Sequence, residues 1–476
     1  MTDLLFGLFN DIVPTTTARI DIVKGAFRLD ASYYSTRSRD AASAIATSGL
    51  HIASLRTLAE VSCSSVRERT FVDPGQGYPL LTGGDLDTTS DDDLRYVSRV
   101  YTRHYEEERL LKGDILLSSA GTVGKCDLVW DNHEGRLASQ DIIRVRAKEG
   151  TASSGYLFAF LSGPIGNNLL RSQSAGSVIV RLYSERVDQL EIPRLAADAE
   201  SIIAEKVYSS FEARAESHRL LKSAANLAVT LSELPGLPQV SNSDPDSVWV
   251  TDSEITAPDN EFRLQGNSYN PVVRIALDNL RSCGRLLSRV NDVAQEIRMS
   301  PLFVRNYVEK EKGVRYIAGK QLSQVRPDFK YISRTETEDL DIHLLHVGWT
   351  LVTCAGSVGK IGFVSPVLDG AAAQDVMRVV PDHQKIDGGY LNAWLRSEYG
   401  QAQLNGYVYG SVIDRISPEH VGKVLIPQLS SEDQKVVGSE VRAAYELKEK
   451  ALGLETDAQD MLLRAINGSV SQGHSA

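Results

Sequence analysis

Two glycine–lysine octets offer the most direct chemical hypothesis in this sequence: SSAGTVGK at 118–125 and TCAGSVGK at 353–360. A phosphate-binding loop follows the pattern G-x-x-x-x-G-K-[ST], in which the first glycine shapes the loop and the final hydroxyl binds magnesium. Here a serine and a cysteine stand where the first glycine belongs, and Cys126 and Ile361 follow the two lysines. Both octets therefore lack a complete phosphate loop, and glycines in tight turns between strands are the preferred interpretation.

No other catalytic pattern in the sequence is complete. His343 and His346 form no zinc-ligand pattern with the nearby cysteine and acids, and the G-x-S-x-G and H-E-x-x-H motifs do not occur. Asp73-Pro74-Gly75 lacks the second proline and the aromatic residue of the amino-methyltransferase tetrapeptide. The stretch at 326–330, RPDFK, resembles part of a nuclease motif without the supporting acid-x-lysine. We therefore expect a binding protein, not an enzyme, with no catalytic residues and no metal ligands.

The octets belong to a repeat that extends over most of the chain. Gly121 and Gly356 are 235 positions apart, and other matches keep an offset between 234 and 236. These matches are FRL at 27–29 and 262–264, Arg69 and Arg305, QD at 140–141 and 374–375, YL at 156–157 and 390–391, GSVI at 176–179 and 410–413, and IP at 192–193 and 426–427. A nearly constant offset over such a length indicates tandem duplication of a whole domain.

Composition is that of a globular protein, with 42% hydrophobic and 24% charged residues among 476. No apolar run approaches the roughly 20 residues that span a bilayer, and the N-terminus carries acids instead of a basic signal region. The four cysteines are far apart and form no CxxC pair. We therefore expect a protein of the reducing cytoplasm.

The net charge of −11 is unevenly distributed along the chain. Residues 1–195 carry −3, residues 196–261 carry −8, residues 262–427 carry +3 and residues 428–476 carry −3. The total argues against a general nucleic-acid binder. The two repeats are nevertheless close to neutral and rich in arginine, so each can present a local basic face.

Each repeat reads as a strand-rich region that ends at Ile-Pro and is followed by a long amphipathic helix. The apolar stripes of the two helices are Ile203, Val207, Phe211 and Leu221 in the first, and Val437, Val441, Tyr445 and Leu452 in the second. Isolated helices are marginal in water, so we expect these two to pair. The first would be on the order of 50 Å long.

The predicted fold class is α+β, with two tandem similar domains separated and held by two long antiparallel amphipathic helices related by a pseudo-two-fold axis. The predicted segments are a first domain at 1–195, a helix at 196–235, a linker at 236–261, a second domain at 262–428, a helix at 429–467 and a disordered tail at 468–476.

The order of these motifs resembles the specificity (S) subunit of type I restriction–modification systems, a family built from target-recognition domains. GDILLSSAGTVGK, YLFAFLS and GSVIVRLYSERVDQLEIP carry the resemblance in the first copy, and GWTLVTCAGSVGK, YLNAWLR and GSVIDRISPEHVGKVLIP in the second. It extends from about Phe27 to Ile466. The sequence departs from the family where the prolines after Ile-Pro are missing and where Gly348-Trp349 replaces Gly113-Asp114.

The resemblance implies a DNA-reading subunit that is not itself catalytic. Each domain would read one half of a bipartite site, and the helices would fix the spacer and dock two adenine-methyltransferase subunits. S-adenosylmethionine, ATP and magnesium would bind to partner subunits, which include a motor–nuclease. Half-sites on one face of B-DNA repeat every ~34–36 Å. The alternatives are the specificity subunit of another phage-defence methylation system, a nucleotide-dependent enzyme and a non-DNA scaffold.

Side chains that can bind bases or phosphates define the candidate DNA-binding residues. In the first domain they are Arg37, Arg39, Arg67, Arg69, Arg103, His104, Lys125, Ser177 and Arg181, and in the second they are Arg298, Arg305, Asn306, Lys330, Arg334, Lys360, Ser411 and Arg415. The apolar stripes of the two helices are the candidate partner-binding residues. Since the halves of a bipartite site differ, residues shared by both domains are equally well explained as structural.

Overall fold

A computed structural model describes residues 35–64, 66, 70–88, 94–102, 104–131, 133–176, 180–238 and 266–472. Arg67, Arg69, Arg103, Ser177 and most of the predicted linker at 236–261 lie outside the described residues. The chain forms two compact units. Unit 1 comprises Met1–Ala215 with Lys450–Ala476, and unit 2 comprises Glu216–Glu449.

The strands of unit 1 are short, two to six residues each. They are β1 (His51–Ser54), β2 (Ala59–Cys63), β3 (Phe71–Val72), β4 (Gly77–Leu81), β5 (Arg95–Ser98), β6 (Ile115–Ser118), β7 (Cys126–Leu128), β8 (Leu137–Ala138), β9 (Ile142–Ala147) and β10 (Glu191–Arg194). They form a central sheet in the order β2-β9-β6-β7, an outer sheet in the order β3-β5-β4-β8 and the pair β1-β10.

Unit 2 repeats this arrangement with strands of its own. They are β11 (Leu287–Arg289), β12 (Ala294–Met299), β13 (Gly313–Ile317), β14 (Lys330–Ser333), β15 (Thr350–Thr353), β16 (Ile361–Phe363), β17 (Ala372–Ala373), β18 (Val376–Pro381) and β19 (Leu425–Pro427). The central sheet has the order β12-β18-β15-β16, the outer sheet β14-β13-β17 and the pair β11-β19. Tyr307 bridges to Ile332 of β14 at the position that β3 occupies in unit 1.

Helices also recur at the same offset. The α-helices are α1 (Thr36–Thr47), α2 (Leu55–Leu58), α3 (Tyr105–Glu108), α4 (Ser154–Ser162), α5 (Pro164–Ser172), α6 (Ser184–Val187), α7 (Ala197–Leu231), α8 (Pro271–Ser282), α9 (Val290–Val293), α10 (Gly319–Leu322), α11 (Gly388–Arg396), α12 (Glu398–Gly406), α13 (Pro418–Lys423) and α14 (Ser431–Gln472). Short 3-10 turns lie at Pro74–Gln76, Gly266–Tyr269, Lys310–Lys312, Leu340–His343 and Pro366–Leu368. The fold is therefore α+β and duplicated, as the sequence predicts.

The Tyr-Leu and Ile-Pro motifs of the repeat meet in the core of each unit. The Tyr156 hydroxyl at the start of α4 donates to the carbonyl of Pro193, and the Tyr390 hydroxyl of α11 donates to the carbonyl of Pro427 over 2.7 Å. Both rings are fully buried. This hydrogen bond ties the core helix to the strand from which the chain enters its long helix.

The first long helix has a defined beginning and end. Glu200 binds the Arg194 guanidinium through both oxygens at 2.8 Å and accepts the Leu195 N–H. This fixes the passage from β10 into α7. At the other end Glu233 adopts a left-handed backbone with φ 58°, the Leu234 N–H reaches back to the Val229 carbonyl, and Pro235 follows. This is the Schellman pattern of a helix end, so the 35-residue α7 stops at Leu231.

Antiparallel pairing of α7 and α14 is visible within each unit. In unit 1, Lys206 Nζ lies 3.2 Å from Asp457 Oδ2, and Arg214 binds Glu455. In unit 2 the Ser217 hydroxyl donates to the Ala444 carbonyl over 2.6 Å. In unit 1 the residue later in α7 contacts the residue earlier in α14, so the two helices run in opposite directions. Helix α14 continues to Gln472, beyond position 467 where the sequence predicts its end, and 473–476 lie outside the described residues.

Most side chains of the predicted partner-binding stripes fill the cores of their own units, and contact of the stripes with partner subunits stays a prediction. Ile203, Val207 and Phe211 are buried in the core of unit 1. Leu221, Val437 and Val441 are buried in the core of unit 2, and Tyr445 packs against it; Leu452 is half-buried. Intramolecular burial removes apolar surface from water without the entropy cost of association.

Among the described residues, none of the helices has both the length and the apolar character needed to cross a bilayer.

Candidate functional site

The glycine–lysine octets are turns between two antiparallel strands of the central sheet. In unit 1 the Ser118 hydroxyl accepts the Lys125 N–H over 2.9 Å and donates to the Thr122 carbonyl over 2.6 Å, which closes the turn. Gly121 and Gly124 have φ of 71° and 86°, a left-handed backbone that favours glycine. The turn leads from β6 to β7 and not into a helix. The phosphate-loop interpretation therefore has no structural support either.

The turn, the Gln-Asp dipeptide and the Gly-Ser hairpin, which are far apart in sequence, form one cluster. In unit 1, Ser119 N donates to the Asp141 carbonyl over 2.9 Å, and Leu182 N donates to the Ser119 carbonyl over 2.8 Å. Ala120 pairs with Arg181 as a β-bridge. The repeated motifs are thus neighbours through backbone hydrogen bonds, and we call this arrangement the turn–hairpin cluster.

Unit 2 builds the same turn–hairpin cluster. Ile416 N donates to the Cys354 carbonyl over 3.1 Å, and Ala355 bridges to Arg415. Arg415 also exchanges two backbone hydrogen bonds with Tyr409, which closes the hairpin. At the hairpin tip Val412 is 93% exposed. Because the contacts are made by the backbone, the side chains of this surface are available to differ between the units.

The predicted DNA-binding residues of the two turn–hairpin clusters differ in their side-chain contacts and in their exposure. Lys125 Nζ donates to the Leu86 and Gly84 carbonyls at 3.1 and 3.3 Å, so its ammonium holds the neighbouring loop. Arg181 lies 3.5 Å from Asp141. Ser411 and Arg415 are exposed, and Lys360 is half-buried. Contact of these five residues with DNA stays a prediction.

An exposed aromatic ring under a cation lies at the edge of each outer sheet. In unit 1 the guanidinium carbon of Arg95 is 5.3 Å from the centre of the Phe71 ring. In unit 2, Lys330 Nζ is 4.7 Å from the centre of the Tyr307 ring. The rings of Phe71 and Tyr307 belong to residues that are 45% and 50% exposed. We call these two contacts the edge pairs.

The second edge pair stands among other predicted residues of unit 2. Arg305 Nη1 donates to the Tyr316 hydroxyl over 3.3 Å, and the Tyr316 and Tyr307 rings are 6.2 Å apart. The backbone carbonyl of Asn306 accepts the Ser333 N–H over 2.9 Å. The structure therefore brings Arg305, Asn306 and Lys330 together, with the exposed Arg334 just beyond the end of β14.

Other predicted residues lie on different elements. Arg298 on β12 has Nε 2.6 Å from Glu296 Oε1, an ion pair within the central sheet. Arg37 and Arg39 are exposed on α1. His104 has a left-handed backbone immediately before α3, with Nδ1 3.3 Å from Glu107. The structure does not bring these four residues into the edge pairs or the turn–hairpin clusters.

Sequence reasoning missed the cations of the first edge. Arg95 and Arg99 stand 235 positions before Lys330 and Arg334, both of which the sequence analysis selected. Arg99 is exposed and lies over the Tyr78 ring at 5.4 Å. The repeat offset is the signal that identifies Arg95 and Arg99, because subtracting it from the positions of Lys330 and Arg334 gives these two arginines.

Within the described ranges, no group of three or more His, Cys, Asp or Glu side chains is arranged to hold a metal ion. His343 is instead a buried residue of unit 2, with its ring centre 4.2 Å from that of Phe303. The charged groups that face it are Arg378, Arg298 and Asp339. Burial, and then the charge of Arg378, lowers the pKa of His343.

We expect acid to destabilise unit 2 through His343. Because its pKa is lower in the folded than in the unfolded chain, where it is about 6.5, the unfolded state takes up the proton first as the pH falls. The stabilisation is complete above this pH and is lost below it. Urea unfolding of the wild type and His343→Gln between about pH 8 and pH 5 should show a smaller acid-side loss in the variant. His346→Gln, at an exposed histidine, is the control substitution. Equal slopes in all three proteins would contradict the assignment to His343.

Comparison with known proteins found no matching family model and no matching curated protein. Among solved structures, the type I restriction–modification S subunit from M. genitalium is similar, with a TM-score of 0.35 and 11% identity over 89% of this chain and 96% of that one. The HsdS subunit from Thermoanaerobacter tengcongensis has a TM-score of 0.28 and 15% identity over 88% and 97%. A chain from a study of assembly and conformational transition of the type I R-M system has the same score and identity over 88% and 98%.

Proposed function

We propose that this chain is the DNA-specificity subunit of a type I restriction–modification complex, with each domain reading one half of a bipartite site. The observation that carries the proposal is the duplication itself. The two units repeat one fold, with outer sheets that differ by one short edge strand, and each presents an exposed cation over an exposed ring at the equivalent edge. Such surfaces suit DNA, which offers phosphates to cations and base edges to side chains in its grooves.

The proposal includes partners for the exposed faces of the helices. Since the apolar stripes are buried, docking of two adenine-methyltransferase subunits falls to outward-facing residues. In unit 2 a shallow groove along α7 is lined by Arg219, Lys222, Ser223, Asn226, Leu227 and Thr230. S-adenosylmethionine, ATP and magnesium would bind to the partner subunits, and a motor–nuclease subunit would complete the complex.

Sequencing of methylated DNA tests the proposal. The host should carry adenine methylation at a bipartite motif, and deletion of this gene should abolish it. The wild-type gene should restore it. An unchanged methylome after deletion would contradict the function.

Two further measurements separate the alternatives. Tight binding of ATP or S-adenosylmethionine by the chain alone, in isothermal titration, would favour an enzyme. Failure of the assembled complex to retain unmethylated duplex at moderate salt would favour a non-DNA scaffold. Loss of methylation without any loss of restriction would favour the specificity subunit of another phage-defence methylation system.

A further inference from the structure

The two edge pairs occupy equivalent positions in the outer sheets of the two units. Phe71 pairs with Val97 across β3 and β5, and Tyr307 pairs with Ile332. Arg95 and Lys330 stand two residues before these partners, so each cation is the diagonal neighbour of its ring on the same face of the sheet. The next residues, Ser98 and Ser333, are both buried.

The strand pairing is the same in the two units, while the exposed residues on the strands differ. The second residue of the strand is tyrosine in both, at Tyr96 of β5 and Tyr331 of β14. The edge pair is phenylalanine with arginine in unit 1 and tyrosine with lysine in unit 2. A duplicated domain that must recognise a second, different half-site needs this combination, because the backbone has to approach DNA in the same way while the recognising groups differ.

We infer that the edge pairs are specificity determinants, with the Phe71–Arg95 pair reading bases of one half-site and the Tyr307–Lys330 pair reading bases of the other. The inference rests on the proposed DNA-specificity function. Sequence is read by side chains that reach base edges in the grooves of DNA, and both rings stand at the exposed edge of an outer sheet.

The chemistry of the two pairs predicts different readout. The Arg95 guanidinium, over the Phe71 ring, presents a planar fork of donors that suits bidentate contact with the O6 and N7 of guanine. An ammonium is a compact donor without that planar fork. The Phe71 ring offers only apolar contact, for example to a thymine methyl group, whereas the Tyr307 hydroxyl can also donate or accept a hydrogen bond.

A protective role is the alternative for the same residues. Exposed edge strands are commonly guarded by cations, which discourage pairing with other chains. Protection requires a positive charge at the edge. It does not depend on whether arginine or lysine supplies that charge, or on whether the neighbouring ring is phenylalanine or tyrosine. Exchange of Arg for Lys and of Phe for Tyr therefore distinguishes the two roles, since each exchange preserves charge and aromatic character.

Reciprocal exchange of the pairs is the test. The double variants Phe71→Tyr with Arg95→Lys, and Tyr307→Phe with Lys330→Arg, replace the wild-type chain in the host, and methylated DNA is sequenced. We expect the first to change or relax one half of the motif and the second to change the other half, with the spacer length unaltered. On duplexes that vary at one half-site, the assembled variant complexes should lose roughly tenfold to a hundredfold of their discrimination.

Arg289→Lys, at an exposed arginine on β11 outside the outer sheet, is the matched control and should leave the motif unchanged. Thermal unfolding within a few degrees of the wild type should accompany each variant. Wild-type motifs from both double variants would overturn the inference and leave the proposed function intact. A uniform loss of affinity for every duplex would also overturn it, because phosphate contacts carry no sequence information. Absence of any bipartite methylation with the wild-type chain would instead refute the function.

Discussion

Gly389→Ala is expected to destabilise unit 2 by about 2–3 kcal/mol. Gly389 lies at the start of α11, where this helix crosses α14 at Gly438. A β-carbon at Gly389 would stand 2.6 Å from both the Cα and the carbonyl oxygen of Gly438. Because the obstacle is backbone, it cannot move aside as a flexible side chain would, and the two helices have to separate. The helix preference for alanine over glycine offsets this cost by at most about 1 kcal/mol.

Urea unfolding and hydrogen exchange of the α11 amides measure the effect, which should include faster exchange in α11. The equivalent crossing in unit 1 is made by Gly155 and Ala204, where the added carbon would meet the Ala204 backbone at 2.9 Å. Gly155→Ala should therefore be costly but less so. Gly453→Ala, in α14 with nothing within 4 Å of the added carbon, is the control and should stabilise the protein by about 0.5–1 kcal/mol. Equal behaviour of Gly389→Ala and Gly453→Ala would show that the helices do not cross there.

Arg146→Met should destabilise unit 1 by about 3 kcal/mol. The Arg146 guanidinium binds Asp114 through two hydrogen bonds of 2.6 Å, and the Asp114 side chain is only 1% exposed. This hydrogen bonding raises the pKa of Arg146. Removal of the arginine leaves a buried carboxylate with the Leu111 N–H as its remaining hydrogen-bond donor, and an unpaired buried charge is expensive.

The converse substitution should cost less. Asp114→Asn removes the charge but keeps the shape, and Arg146, with 33% of its side chain exposed, can turn toward water. We expect about 1–2 kcal/mol. Arg109→Met breaks an ion pair with Glu106, whose side chain is 77% exposed and stays hydrated without the arginine, and should cost less than about 1 kcal/mol. Urea unfolding of the three variants tests the ranking, and a larger loss for Asp114→Asn than for Arg146→Met would refute this account.

The same pair explains a departure that the sequence left without a reason. Unit 2 carries Trp349 and Val380 at the positions of Asp114 and Arg146. The Trp349 ring lies 5.5 Å from the guanidinium of the buried Arg378. A buried ion pair can be replaced by well-packed apolar residues at little cost. In unit 2 both members of the ion pair are therefore replaced, Asp114 by Trp349 and Arg146 by Val380, so no buried charge is left without a partner.

Duplication, fold class and the two long helices could be predicted from the sequence because each leaves a periodic or local signal. The constant offset between GSVI at 176–179 and at 410–413 reveals the repeat, and the spacing of Ile203, Val207 and Phe211 reveals a helix. The role of those apolar residues could not be predicted in the same way. A stripe shows that a helix buries one face, but it does not show whether the chain itself or a second protein covers that face.

Residue choice at the candidate site shows the same limit. The sequence identified Lys330 and Arg334 by chemical type, yet it also selected Lys125, whose ammonium holds carbonyl groups of a neighbouring loop. It did not select Arg95, which the structure places over Phe71. Charge alone does not distinguish an arginine or lysine that binds its own fold from one that faces outward.

The sequence by itself determined that this protein is a doubled α+β module with two long helices and no complete catalytic motif, because repeats and helical periodicity are properties of residue order. Only the tertiary structure decided which side chains are buried, and that three motifs far apart in sequence meet in one turn–hairpin cluster through backbone hydrogen bonds. It also decided where cations and rings come together at the sheet edges. Such contacts depend on strand pairing between distant segments, and the identity of a residue does not record which residue stands opposite to it.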